Sequence, residues 1–235
     1  MIDPIPNPQS LIPDPQSLIG SVVNGVLSVL VAPVCAACGA VLDTPLNGCV
    51  CSTCWMQVRP VANLTFERGS PIDQLVAVGE YDGVYRDIVH ALKYQGRRSI
   101  AADLAMLIRR NGEDLLAGAE CVVPVPLHWR REYARGFNQA REIARHLRRP
   151  MLDALVRSRA TTPQVELSKE QRIENVKGVF TVRRPPLRKT LKLHGINVVL
   201  VDDVATTGAT LRACALELKV AGAAVVSAVT AARKV

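Results

Sequence analysis

Apolar residues run almost without interruption through Ile196-Asn197-Val198-Val199-Leu200, which reads as a buried strand of a parallel sheet. Beyond it, Leu211, Cys214, Ala215 and Leu218 recur at helical spacing, and Gly222 ends that helix. Val122-Val123-Pro124-Val125-Pro126-Leu127 predicts a second strand running into a loop, and Val179 to Val182 a short third one. An apolar helical face closes at Leu92-Lys93-Tyr94-Gln95-Gly96, after Tyr81-Asp82-Gly83-Val84-Tyr85-Arg86. Arg157 to Asn175 has little apolar periodicity and reads as a loop. Leu18 to Val34 is the most apolar stretch, but Ser21, Asn24, Gly25 and Ser28 interrupt it. It falls short of the ~20 apolar residues that span a bilayer and predicts a helix packed on the next module. Cys121 and Cys214 fall in a predicted strand and helix, as small buried apolar residues.

Between the first strand and its helix lies Val201-Asp202-Asp203-Val204-Ala205-Thr206-Thr207-Gly208-Ala209-Thr210. Two adjacent carboxylates at the carboxyl end of a strand stand where open α/β sheets bind ligands. A Thr/Gly-rich turn opening a helix offers N–H groups, hydroxyls and a positive helix end to a phosphate. Carboxylates for sugar hydroxyls or Mg²⁺, beside a phosphate cradle, describe a site for a phosphorylated sugar. The plainer alternative is a solvated acidic loop followed by an ordinary turn. No Gly-x-x-x-x-Gly-Lys-Ser/Thr loop and no Gly-x-Gly-x-x-Gly loop occurs, which argues against nucleoside-triphosphatase and dinucleotide readings. The whole string resembles the phosphoribosyl-pyrophosphate (PRPP) motif of type I phosphoribosyltransferases. That resemblance implies that Asp202 and Asp203 hold the ribose hydroxyls, directly or through Mg²⁺. It places the 5′-phosphate on Ala205, Thr206, Thr207, Gly208, Ala209 and Thr210.

A length of 235 residues fits one domain with an appendage, and the net charge of +8 favours anionic partners. The excess gathers in Arg130, Arg131, Arg135, Arg141, Arg145, Arg148 and Arg149, and again from Arg157 to Lys192. These zones fit either a solvated helix face or contact with nucleic acid. The pyrophosphate would need a cationic loop of its own, and His128, Arg130, Arg131 and Arg135 after the Val122 strand are the candidates. Lys93 is a further, weaker candidate. The N-terminus lacks a basic region and a cleavage site, so a cytoplasmic protein is expected. Its repeat, Pro6-Asn7-Pro8-Gln9-Ser10-Leu11-Ile12 and Pro13-Asp14-Pro15-Gln16-Ser17-Leu18-Ile19, reads as an extended leader.

Five of the 7 cysteines are close in sequence: Cys35-x-x-Cys38, Cys49, and Cys51-x-x-Cys54. Paired knuckles at this spacing suit a small zinc ribbon, with Cys35, Cys38, Cys51 and Cys54 closing a tetrahedral structural site. Cys49 is an alternative to Cys51, and disulfides are the rival chemistry. The expected organisation is a leader over 1–17, an apolar helix over 18–34, a zinc ribbon over 35–60 and an α/β domain over 75–235.

Read in order, the cysteine module, Leu92 to Gly96, the Val122 strand, Arg135-Gly136-Phe137-Asn138-Gln139, Thr162-Pro163-Gln164, Arg172 to Phe180 and the acidic motif are similar to the ComF family. The resemblance runs from about residue 20 to the C-terminus. It implies an N-terminal zinc ribbon followed by a type I phosphoribosyltransferase fold, a parallel twisted sheet flanked by helices under a flexible hood. Thr162, Gln164, Arg172 and Asn175 would belong to that hood. It also implies a role in competence and DNA uptake, with single-stranded DNA and a helicase-like protein as partners. Two functions stay open: a PRPP-dependent transferase, and a protein that keeps the fold to sense a nucleotide or bind DNA.

Overall fold

In the computed structural model of the chain, residues 33–66, 69–158, 178–183 and 193–235 are described. The leader, nearly all of the apolar stretch to Val34, and Thr162, Gln164, Arg172 and Asn175 lie outside them. Among the described residues a five-stranded sheet has the order β1-β2-β7-β6-β3, built from β1 (Leu64–Thr65), β2 (Gln74–Glu80), β3 (Cys121–Pro124), β6 (Asn197–Ala205) and β7 (Val225–Arg233). All neighbours run parallel except β1, which pairs antiparallel with β2. A two-stranded hairpin, β4 (Leu155–Arg157) and β5 (Phe180–Val182), stands apart from it.

Side-chain alternation divides the interior into two cores, one on each face of the sheet. Val199 and Val201 of β6 face the first core with Val122, Val76 and Val78. Helices α2 (Gly83–Tyr94) and α3 (Ile100–Asn111) pack there, as does α6 (Gln139–Arg145). Val198 and Leu200 face the second core with Cys121 and Val123, under α7 (Ala209–Val220) and the hairpin. Cys121 and Cys214 are buried in a strand and a helix, as their surroundings in the sequence imply. The remaining helices are short: α1 (Ser52–Met56), α4 (Glu113–Ala117) and α5 (Trp129–Arg135).

Three boundaries differ from expectation. β6 keeps its pairing with β7 through Ala205↔Arg233, so both carboxylates lie within the strand rather than after it. β3 stops at Pro124, where the chain turns out of the sheet towards His128. The arginine-bearing segment that follows forms α5 rather than an open loop, capped by His128, whose Nδ1 accepts the Arg130 N–H at 3.3 Å. Its sequence hides the helix because none of its residues is buried and no apolar period develops.

The cysteine module shares the first core: Cys35, Leu42, Val50, Cys54, Trp55 and Val58 join the residues of α2 and β2. The Trp55 ring lies 6.5 Å from that of Tyr85, whose hydroxyl donates to the Ala231 carbonyl at 2.8 Å. The exit segment of the module bridges to β2 at Pro60↔Gly79. A Cβ at Gly79 would lie 2.7 Å from Val58 Cγ1 and 2.9 Å from the Arg59 carbonyl oxygen, so only glycine permits this approach.

Candidate functional site

The site gathers at the carboxyl edge of the sheet, where β6 delivers Asp202 and Asp203 and β2 runs into Tyr81. Asp203 turns towards α2, where Lys93 Nζ stands 3.1 Å from its Oδ2. The two side chains are only 14% and 13% exposed, so this is a partly desolvated ion pair. The Lys93 ammonium also lies 5.6 Å from the centre of the Tyr81 ring. Burial pulls the lysine down, but Asp203, Tyr81 and Asp202 more than offset it, so its pKa ends above the ordinary value.

Asp202 occupies a different environment. Its carboxylate accepts the Asp203 N–H at 2.9 Å, and it feels Cys214 of α7 and Arg157 of β4. Burial first, and then the charge of Asp203, push its carboxyl up to about 8. Beside it in register on β7, Thr230 is fully buried with no hydrogen-bond partner for its Oγ1.

The turn from Ala205 to Thr210 leads directly into α7. Gly208 takes φ +71 at the head of the helix, a left-handed conformation that suits glycine. Thr206 is exposed, Thr207 and Thr210 are half-buried, and Ala205 and Ala209 are buried. The Ala209 N–H reaches Thr207 Oγ1 at 3.4 Å. Gly208, at the head of α7, makes no side-chain cap, which leaves first-turn amides of the helix available to a ligand beside the threonine-bearing turn.

The cationic candidates separate. Arg135 donates to Gln139 Oε1 at 3.0 Å and to the Tyr94 hydroxyl at 3.2 Å, which brings it next to Lys93 in the chain. Arg130 is exposed and lies 5.2 Å from the Trp129 ring. Arg131 is half-buried. His128 is 6% exposed with its Nδ1 engaged as the cap of α5, and burial lowers its pKa. Three neighbours escape motif reading. Tyr81 backs Lys93, Arg157 flanks Asp202, and Arg98 donates to the Gly136 carbonyl at 3.0 Å while covering the Phe137 ring. Tyr81 is marked only by its place at the end of a strand.

The four cysteines meet as the spacing requires. The sulfurs of Cys35, Cys38, Cys51 and Cys54 all lie within 4.8 Å of one another. The pairs Cys35–Cys54 and Cys38–Cys51 stand 3.8 Å apart, and none of the seven cysteines is in a disulfide. Thiolates bound ~2.3 Å from one tetrahedral ion stand about 3.8 Å apart, so the set fits a metal. Although burial opposes it, amide N–H groups of Cys38, Cys51 and Ala37 bring the Cys35 thiol down to about 6. Cys49 falls outside the cluster, 3.3 Å from Ser99 Oγ.

A mostly parallel sheet with an acidic strand end and a Thr/Gly turn at a helix head defines a phosphoribosyltransferase-like protein, here with a module of four clustered cysteines. Residues 134–235 match the phosphoribosyl transferase domain. The chain is 34% identical over 173 residues to the DNA utilization protein YhgH of Escherichia coli K12, covering 68% of this chain and 72% of that protein. It is 33% identical over 153 residues to the competence protein F of Haemophilus influenzae, covering 59% and 63%. Against the competence protein ComFC of Bacillus subtilis it is 37% identical over 92 residues, covering 38% and 34%. The chain belongs to the ComF family of phosphoribosyltransferase-like proteins. Among the described residues no helix is long and apolar enough to cross a membrane.

The raised pKa of Asp202 makes a stability prediction. The folded state holds this proton more tightly than the unfolded chain, so the stability it contributes is present in full below about pH 4 and is lost as pH rises towards 8. Asp202→Asn cannot ionise and should melt about 5 °C or more above wild type at pH 8.5, with the gap closing near pH 4. Parallel melting curves at every pH would show that the carboxyl is not held protonated.

Proposed function

We propose that the carboxyl edge of the sheet binds the 5-phosphoribosyl group of PRPP or of a related nucleotide. The single observation that carries this reading is the junction of β6 and α7. There Asp202 and Asp203 stand in the last four residues of the strand, and the Thr206, Thr207 and Thr210 hydroxyls, Gly208 and a helix head without a side-chain cap follow it. The helix head and hydroxyls take the phosphate; the acids take the ribose hydroxyls, which the protonated form of Asp202 can also donate to. Lys93, paired with Asp203, and Arg135, held to Tyr94 on the same helix as Lys93, would supply cations for the pyrophosphate that leaves C1. Transfer would then rest on positioning and on cationic stabilisation of the departing pyrophosphate. The acid pair does not fit a metal of its own, because Lys93 already covers Asp203, and Asp202 is only partly exposed with a carboxyl that holds its proton up to about pH 8. In this reading Mg²⁺ belongs on the pyrophosphate oxygens.

Cys35, Cys38, Cys51 and Cys54 would hold a structural zinc, which with four protein ligands has no open position for chemistry. The relatives named for competence and DNA utilization support a role in handling incoming DNA. One observation favours single-stranded DNA as a second ligand: on α5, Trp129 and Tyr133 are 65% and 87% exposed beside Arg130 and Arg131. Exposed aromatic faces among arginines stack bases and neutralise phosphates. A helicase-like protein would be the corresponding protein partner in DNA uptake.

Calorimetry with PRPP should show binding that Asp202→Asn combined with Asp203→Asn weakens by about tenfold or more; equal binding by the variant rejects the site. Pyrophosphate release with a panel of bases and amines separates transfer from sensing. Metal analysis should return about one zinc per chain, lost with Cys35→Ser and Cys54→Ser together. Binding of oligo-dT should weaken steeply with salt and fall about tenfold for Trp129→Ala with Tyr133→Ala. Binding that ignores salt, or that survives the double substitution, discards α5 as the DNA contact.

A further inference from the structure

The acidic motif has a partner that its own sequence neighbourhood does not disclose. Lys93 ends α2, where the negative end of the helix dipole favours a cation, and its ammonium crosses to Asp203 Oδ2 at 3.1 Å. Both side chains are withdrawn from solvent, and the Tyr81 ring closes one side of the ammonium. A magnesium or manganese ion on that carboxylate would stand ~2.1 Å from the oxygen, and hence within about 5 Å of the ammonium wherever it sat. The Asp203 backbone is held in the ladder with β7, between the pairs Asp202↔Thr230 and Val204↔Ala232, which limits how far its carboxylate can withdraw. Displacing Lys93 instead would break its contact with Asp203, the nearest carboxylate to an ammonium that is already largely withdrawn from solvent.

We propose that Lys93 is a specificity-determining residue of this site: its ammonium holds the place on Asp203 that a divalent cation would take, so the acid pair receives a phosphoribosyl ligand without loading a metal of its own. Metal exclusion is independent of the ligand, whereas the phosphoribosyl half rests on the function proposed above. Arg135, held to the neighbouring Tyr94, adds a second cation of the chain beside Lys93.

Manganese alone, followed by electron paramagnetic resonance on the full chain, tests the first half. Wild type and Asp203→Asn should bind manganese equally weakly. Lys93→Gln should gain one site about tenfold tighter or more, and adding Asp203→Asn should abolish it. Lys93→Arg, which keeps the charge, should behave as wild type. Tight binding by wild type that Asp203→Asn removes overturns the proposal, as does a folded Lys93→Gln that gains nothing. Should Lys93→Gln fail to fold, the comparison of wild type with Asp203→Asn still decides. Calorimetry with ribose 5-phosphate, which lacks the pyrophosphate, tests the second half: adding Mg²⁺ should change wild-type affinity by less than about threefold, and a gain beyond about tenfold overturns it. Absence of PRPP binding under all conditions overturns the phosphoribosyl reading and leaves the manganese result standing.

Discussion

The register of β6 between β7 and β3 is the constraint on which the rest depends. Eight residues of β6 pair with β7, from Asn197↔Val225 to Ala205↔Arg233, while Cys121 to Pro124 pair along its other side. A strand covered on both faces cannot slip by one residue, because each slip would exchange Val199 and Val201 with Val198 and Leu200 between two separately packed cores. The acids are therefore placed by the burial of their apolar neighbours. Asp203 meets α2 and Asp202 lies on the α7 side because consecutive residues of a strand diverge.

That divergence explains why two chemically identical side chains behave differently. Asp203 has an ammonium within contact and remains a carboxylate partner. Asp202 has the N–H of its neighbour, the charge of Asp203 and an interior position, so neutralising itself costs less than staying charged. The motif thus presents a mixed surface, one ion-paired oxygen and one carboxyl able to donate, rather than a doubly charged claw. A sugar diol, with donors and acceptors on each oxygen, matches such a surface better than a bare cation does.

Much of this was readable along the chain, and the division follows the range of the interactions. β6 and α7 announce themselves through a short apolar run and a 3.6-residue period, and the metal cluster through two knuckles twelve residues apart. Those signals are local. The Lys93–Asp203 pair joins residues far apart in sequence, and neither segment carries a mark of the other. Arg157 is equally silent, since the strand pair that carries it joins Leu155 to Val182 across a stretch without periodicity. α5 went unseen for the opposite reason: a helix that buries nothing leaves no apolar pattern, and only its cap and its Gly136 end give it away.

The cysteine module bears on the site through α2. Trp55 packs on Tyr85 near the start of that helix, and the Tyr85 hydroxyl ties it to Ala231 of β7. Ile88, Val89 and Leu92 then bury the helix down its length, and Lys93 follows Leu92 directly. A lysine ammonium on four rotatable bonds is ordinarily a poor positioning group, because holding it costs rotamer entropy. Here the stem is buried and the helix that bears it is fixed at its far end by the module and along its face by the sheet. Four sulfurs drawn together around Cys35 and Cys54 order Trp55, and Trp55 orders the start of α2. The cysteine module and the acidic motif, far apart in the sequence, are joined by one helix.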